Sequence, residues 1–212
     1  MKKALALVLL VSILIAGSCL AEEYSTLAPW GHEAGWTSFP LALQSDGLDA
    51  AWQKGAEVFA ANMGIKKLDA GTLKSMMLSG YHMEPQFDHL LVEGNRVTVS
   101  SADGKELFSH EYAYADTVEN AMEDTAVYVF KTEEAGAGAY TYLCLTMPAE
   151  TVRETGSYTT FSVFFTKKDY KGLFQKDKVG LPCLMIRADT GADGLEAAIL
   201  QIFAAPAVMT SL

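Results

Sequence analysis

The sequence predicts a mainly β fold with flanking helices, its strands forming a small antiparallel barrel or sandwich. Three observations carry this. From residue 87 to residue 165 the apolar residues recur with a period of two, as in "RVTVS" and "YTTFSVFF". Short turn signals such as "EGN" and "EEAGAGA" separate these runs at the spacing of successive hairpins. Helical spacing appears only before the runs, around Trp52 and Phe59, and after them, in "GLEAAILQIFAA".

The chain opens "MKKALALVLLVSILIAGSCLAEE". Two lysines, an apolar run from Ala4 to Ala16 and a small-residue cleavage site make residues 1–21 a secretory signal peptide, too short and wrongly flanked for a stable membrane span. Cleavage after Ala21 frees a soluble chain; cleavage before Cys19 leaves a lipid-modified cysteine, an alternative that "AGSC" supports weakly. The expected location is extracytoplasmic, periplasmic or secreted. No later stretch is long and apolar enough to cross a bilayer as a helix.

Residues 22–47 are rich in Gly and Pro yet carry Trp30, Trp36 and Phe39, so this loop is expected to dock on a core. A helix then runs through Trp52, Ala56 and Phe59, capped by Asp49 and stopped by Gly64. A second short helix, "DAGTLKSMMLSGY", takes Thr72 as its cap and Gly80 as its stop. Six strands are expected: residues 87–92, 96–100, 105–114, 125–132, 139–146 and 158–165. The tail adds a candidate strand at 181–188 and a helix capped by Asp193 and stopped by Pro206. The organisation read from this is a leader at 1–21, a barrel domain with N-terminal helices at 27–166, and a C-terminal extension at 167–212 packed on the barrel.

Loss of the leader leaves roughly 190 residues, enough for one domain with a sizeable core. The net charge of −10 deepens to −12 with the two leader lysines gone. An acidic chain repels phosphate backbones and anionic lipid, which disfavours nucleic acid and membrane surfaces as partners. Export permits a Cys144–Cys183 disulfide; two buried free thiols are the alternative, and spacing does not decide.

No nucleophile elbow, phosphate loop, dinucleotide fingerprint or H-E-x-x-H helix is present, so no enzyme is expected. The histidines are His32, His82, His89 and His110. His82 and Glu84 share a face of an extended segment. With His89 and His110 they are the candidate ligands for zinc or another divalent ion, although a metal needs three or four donors to converge and the sequence shows only pairs. Tyr112, Tyr114, Tyr128, Tyr140, Tyr142 and Phe164 either line a barrel around an apolar ligand or fill its core, and core filling is the preferred reading. Met76 and Met77 read as helix packing.

The stretch "APWGHEAGWTSFPLALQSDGLDAAWQKGAE" resembles the opening of the ZinT family of exported bacterial zinc-recruitment proteins: Trp30, Trp36, Ser38, Pro40, Gly47, Leu48 and Asp49 stand in the family's order. "SGYHME", "YAY", "VYVF", "YTYLCL" and "FSVFF" resemble later family elements, so the likeness covers about residues 27–166. It implies a calycin/lipocalin-like antiparallel β-barrel, an exported location and zinc as the metal.

The resemblance also implies three zinc-binding histidines, which would fall at about Pro148 and at Thr160 and Ser162. Proline has no donor side chain, and neutral hydroxyls are poor ligands beside imidazole. On this alignment Thr160 and Ser162, with Tyr142, line a former metal pocket. Two functional expectations stand: an exported metal-related binding protein whose site is remade from His82, Glu84, His89 and His110, or a binding module for a small molecule or cell-surface protein, with no metal.

Overall fold

In the computed structural model, residues 25–79, 86–120, 125–168, 170–174 and 183–204 are described. Residues 1–21, expected to be a signal peptide, with Cys19, and also Gly80 and Pro206, therefore lie outside the described residues. The period-two runs become strands: β1 (Trp36–Ser38), β2 (His89–Glu93), β3 (Arg96–Ser100), β4 (Glu106–Glu111), β5 (Ala113–Asn120), β6 (Thr125–Lys131), β7 (Tyr142–Thr146), β8 (Ala149–Val152), β9 (Ser157–Thr166) and β10 (Cys183–Arg187). They make one antiparallel sheet in the order β4-β3-β2-β1-β10-β9-β7-β6-β5. The long β9 holds β7 along residues 163–166 and β8 along residues 157–160, both on the side away from β10.

The strands β4 and β5 sit at opposite ends of that order, yet only Tyr112 separates them in the chain. A sheet that obeys both conditions must curl until its edges approach. Tyr112 spans the seam: its N–H donates to the Asn95 carbonyl beside β3, and its hydroxyl donates to the Tyr140 carbonyl ahead of β7. The result is a half-barrel consistent with a calycin-like fold. The sequence reading ran residues 105–114 as one strand, because nothing local marks a change of partner at Tyr112.

The concave side is closed by side chains. Leu90, Val97, Val99, Phe130, Leu143, Leu145, Phe161, Val163 and Met185 meet there from six strands, and Phe108 joins them from β4, with Trp30 and Leu27 brought in by the N-terminal loop. Trp30 is fully buried, donates from Nε1 to the Thr146 carbonyl at 2.8 Å, and meets Tyr128 and Phe130 edge-on. The docked loop is thus as expected, but it also contains β1, which pairs with β2 on one side and β10 on the other. Likewise β10 lies inside the sheet, between β1 and β9. Of the segment after 166, Cys183–Arg187 is thus a strand of the sheet itself.

Among the described residues, five α-helices cover the convex side: α1 (Phe39–Ala42), α2 (Asp49–Met63), α3 (Ala70–Ser79), α4 (Tyr170–Leu173) and α5 (Ala192–Ala204). Phe39, Trp52, Phe59, Ile199 and Phe203 build a second core with Ile186 and Tyr158 from the sheet. At Gly55 a Cβ would lie 2.7 Å from the Phe203 ring, so that position sets how closely α2 and α5 approach. A third, smaller cluster joins Phe174 to Val127, Val129 and Cys144. The caps differ from the sequence reading. Asp49 and Asp193 stand inside the first turns of α2 and α5, where a carboxylate favours the helix dipole. For α3, Asp69 accepts the Thr72 N–H at 2.8 Å, so Thr72 is the capped residue and not the cap. Gly64 ends α2 in a left-handed conformation as expected, at φ 67°.

Register settles the cysteines. Cys183 and Leu145 both pair with Val163, which faces the concave core, whereas Cys144 pairs with Phe164 on the convex side. The two sulfurs lie on opposite faces of the sheet, and both thiols are free and buried. Burial pushes Cys144 up to about 12 and raises Cys183 further.

Two predictions follow from this packing. A thiol reagent should leave both cysteines of the native, leaderless chain unmodified and label both after unfolding in denaturant; the same count without reductant confirms that no disulfide forms. The turn before β9 also meets the start of α5 backbone to backbone: a Cβ on Gly156 would lie 2.6 Å from the Asp193 carbonyl. Gly156→Ala should therefore cost about 1–3 kcal/mol in urea unfolding, while Gly47→Ala, with open space around it, should show only the smaller cost of its positive φ.

Candidate functional site

Strand β9 alternates as its sequence promises, and the pairing identifies its faces. Phe161, Val163 and Phe165 enter the concave core. Thr160 pairs with Ile186 and Ser162 with Leu184, both of which belong to the helix-covered core. Thr160 and Ser162 therefore face outward under the helices and do not line the barrel interior. Tyr142 is outward too: its ring stacks on Tyr170 at 5.1 Å, and Lys131 Nζ sits 5.9 Å from its centroid. Of the other rings, Tyr112, Tyr128 and Tyr140 join the concave core, Phe164 joins the small convex cluster, and Tyr114 is exposed. The filled concave side bears out core packing as the role of the first three.

The candidate metal ligands divide in the same way. His82 and Glu84 lie outside the described residues. His89, next to the inward Leu90, faces outward and meets Thr37 Oγ1 at 3.0 Å through Nδ1. His110 pairs with the inward Val97 and stacks on Phe108 at 5.0 Å. His89 and His110 thus stand on opposite faces of the sheet and cannot share an ion. His32, from the N-terminal loop, lies 4.0 Å from an Asp189 carboxylate that Arg187 already grips through two nitrogens, at 2.9 and 2.6 Å.

His110 is the best-built of these positions. It stands at the seam, where the last turn of β4 meets the segment leaving β6. Glu134 reaches across with both oxygens: Oε1 accepts the Glu111 N–H at 2.7 Å, and Oε2 meets His110 Nδ1 at 2.8 Å. The Glu134 N–H is itself anchored on Thr132 Oγ1. The Glu111 amide and then the His110 ring hold the Glu134 carboxyl below its ordinary value. Behind the imidazole, Phe108 touches Tyr140 at 4.0 Å and Phe165 at 5.5 Å, so the ring backs onto an aromatic wall. The side chain of His110 is 17% exposed and that of Glu134 is 43% exposed, which leaves the pair reachable from solvent. Sequence reasoning named His110 and missed Glu134, because the two are 24 residues apart and meet only when the sheet curls.

Zinc, the metal implied by the ZinT resemblance, is held by imidazole, thiolate or carboxylate, usually from three or four residues. Pro148, Thr160 and Ser162 do not meet that need. Among the described residues no group of three or more His, Cys, Asp or Glu side chains is placed to hold an ion. The seam supplies one imidazole paired with a carboxylate, fewer donors than zinc usually takes.

No protein family matches the chain, and no curated protein matches it. Solved structures from Streptococcus pneumoniae share its fold. One is Zn(II)-bound AdcA, with a TM-score of 0.54 and 14% identity over 84% of this chain and 35% of AdcA. Another is the Zn(II)-bound ZinT-like domain of AdcA, with a TM-score of 0.54 and 15% identity over 82% of this chain and 89% of that domain. This chain spans about a third of AdcA's length and most of its ZinT-like domain. At such identity the likeness shows the fold, a ZinT-like one. Among the described residues, no helix is long and apolar enough to cross a membrane.

The carboxylates fix the sign of the pH response. Glu134 is lowered as above, Asp116 by the Tyr170 hydroxyl and then Lys171, and Asp189 by Arg187. A depressed folded value gives stability that is full above the unfolded value and is lost as pH falls through the folded one. The melting temperature should therefore fall as pH drops below about 5, and Glu134→Gln should fall less steeply across the same range. Parallel slopes for the two proteins would refute the Glu134 contribution.

Proposed function

We propose that this chain is an exported, metal-related binding module on a ZinT-like fold, without catalytic activity. It takes a divalent cation, zinc first, through a site remade around His110. The observation that carries the reading is the seam itself: an imidazole at the rim of the half-barrel, backed by aromatic rings and held by a carboxylate at 2.8 Å. The fold's likeness to zinc-bound structures supports zinc as the first candidate. The secretory leader supports an extracytoplasmic setting, where such a module would capture metal and pass it on.

A second reading, a calycin-type module with no metal, has the substitutions at Pro148, Thr160 and Ser162 in its favour. The filled concave side argues against a small molecule in the barrel, so this reading requires a surface partner, such as a cell-surface protein.

Calorimetric zinc titration of the tag-free chain against a competing chelator decides between them. The expected outcome is one zinc per chain at submicromolar affinity. His110→Ala, alone or with His82→Ala, should weaken it roughly a hundredfold or more, while Thr160→Ala/Ser162→Ala should leave it unchanged. Weak, unsaturable binding, or full binding by His110→Ala, would overturn the reading.

A further inference from the structure

We infer that α4 is a strap: a single helical turn, clasped by Asp116, that opens on its own and bares the convex face of β6 and β7 while the barrel stays folded. The inference stands apart from the metal reading. The helix-side core around Ile186 and Tyr158 lies under α1, α2, α3 and α5. The cluster of Val127, Val129 and Cys144 does not: among the described residues, only Tyr170, Leu173 and Phe174 cover it from outside the sheet. The helix α4 has four residues, and so short a helix has no stability of its own in water. Side chains must hold it in place.

The holding contacts are few and specific. Tyr170 donates its hydroxyl hydrogen to Asp116 Oδ2 at 2.9 Å, and Lys171 Nζ lies 3.2 Å from the same oxygen. Asp116 Oδ1 accepts the Thr117 N–H at 2.9 Å, which aims the carboxylate. Beside the clasp the Tyr170 ring rests on Tyr142 at 5.1 Å, and Phe174 meets Phe164 edge-on at 5.2 Å. The strand β5 is built to present this carboxylate. In a regular strand Asp116 would share a face with Tyr114, which pairs with Phe130 of the concave core. A β-bulge intervenes: Tyr114 pairs with Phe130 and Asp116 with Val129, so Ala115 is the extra residue and Asp116 turns to the convex side. The Tyr170 hydroxyl and then Lys171 hold the Asp116 carboxyl below its ordinary value, which keeps it ionised as the catch. A segment held by so few contacts opens at a lower free energy than the domain as a whole.

The two cysteines read the opening. Cys144 lies under the strap and Cys183 in the concave core, so thiol labelling followed by digestion and mass spectrometry reports local and global opening separately. In the leaderless wild type, Cys144 labelling should begin at lower urea and rise on a shallower slope than that of Cys183, because opening the strap exposes little surface. Tyr170→Phe keeps the ring and loses only the hydroxyl; it should speed Cys144 labelling about tenfold and leave Cys183 unchanged. Asp116→Ala removes the acceptor for both Tyr170 and Lys171 and should speed it further. Lys171→Ala should do little, because that side chain is 67% exposed and ion pairs of this kind are weak. Coincident urea profiles for the two wild-type cysteines would overturn the inference. So would equal acceleration of both cysteines, or no acceleration of Cys144, in Tyr170→Phe.

Discussion

Three residues hold the sheet together. Trp36, Thr37 and Ser38 pair with Arg187, Ile186 and Met185 of β10 on one side, and Trp36 and Thr37 with Leu90 and His89 of β2 on the other. Without β1 the order breaks into a β4-β3-β2 meander and a separate five-strand path from β10 to β5. The short strand is held from both faces. On the concave side Trp36 meets Phe161 at 4.6 Å and donates its Nε1 hydrogen to the Trp30 carbonyl at 2.7 Å. Beyond it, Ser38 accepts the Leu41 N–H at the start of α1 and donates to Asp88 at 3.0 Å. The curl of the sheet, the seam at Tyr112 and the meeting of His110 with Glu134 all follow from joining the two halves at this point.

The joining also explains the filled interior. Once β1 brings Trp30 and Trp36 over the concave face, two indoles and the side chains of seven strands occupy the space a calycin would use for a ligand. On the proposed reading, function lies at the rim and the outer surfaces. The net charge of −10 is compatible with a cation as partner, since acidic groups attract cations over about a Debye length.

Much of the fold was legible from period alone. The hairpin of β2 and β3, the strands β6 and β9, and the helices α2 and α5 come from local patterns that tertiary context did not override. What was missed has physical reasons. β1 is three residues long and sits among Gly and Pro, so no periodicity can reveal it, and its pairing partners are 52 and 147 residues away at their nearest register. The change of partner at Tyr112 leaves the local pattern of residues 105–114 unbroken. In β9 the alternation showed that Thr160 and Ser162 share a face but carries no sign for which face is inside. The resemblance assigned them to the pocket, and the pairing with Leu184 and Ile186 assigns them to the helix side. His110 was visible as a residue type; its carboxylate partner was not, because curvature brings them together.

The most direct test of the account is the position of the metal. Crystals of the chain grown with zinc, measured on both sides of the zinc absorption edge, give an anomalous map in which the ion marks its own site. The account predicts one strong peak about 2 Å from Nε2 of His110, with Glu134 still on Nδ1. A peak against Pro148 and the Thr160–Ser162 face, or no ordered peak at a concentration that saturates ZinT-like domains, would contradict it.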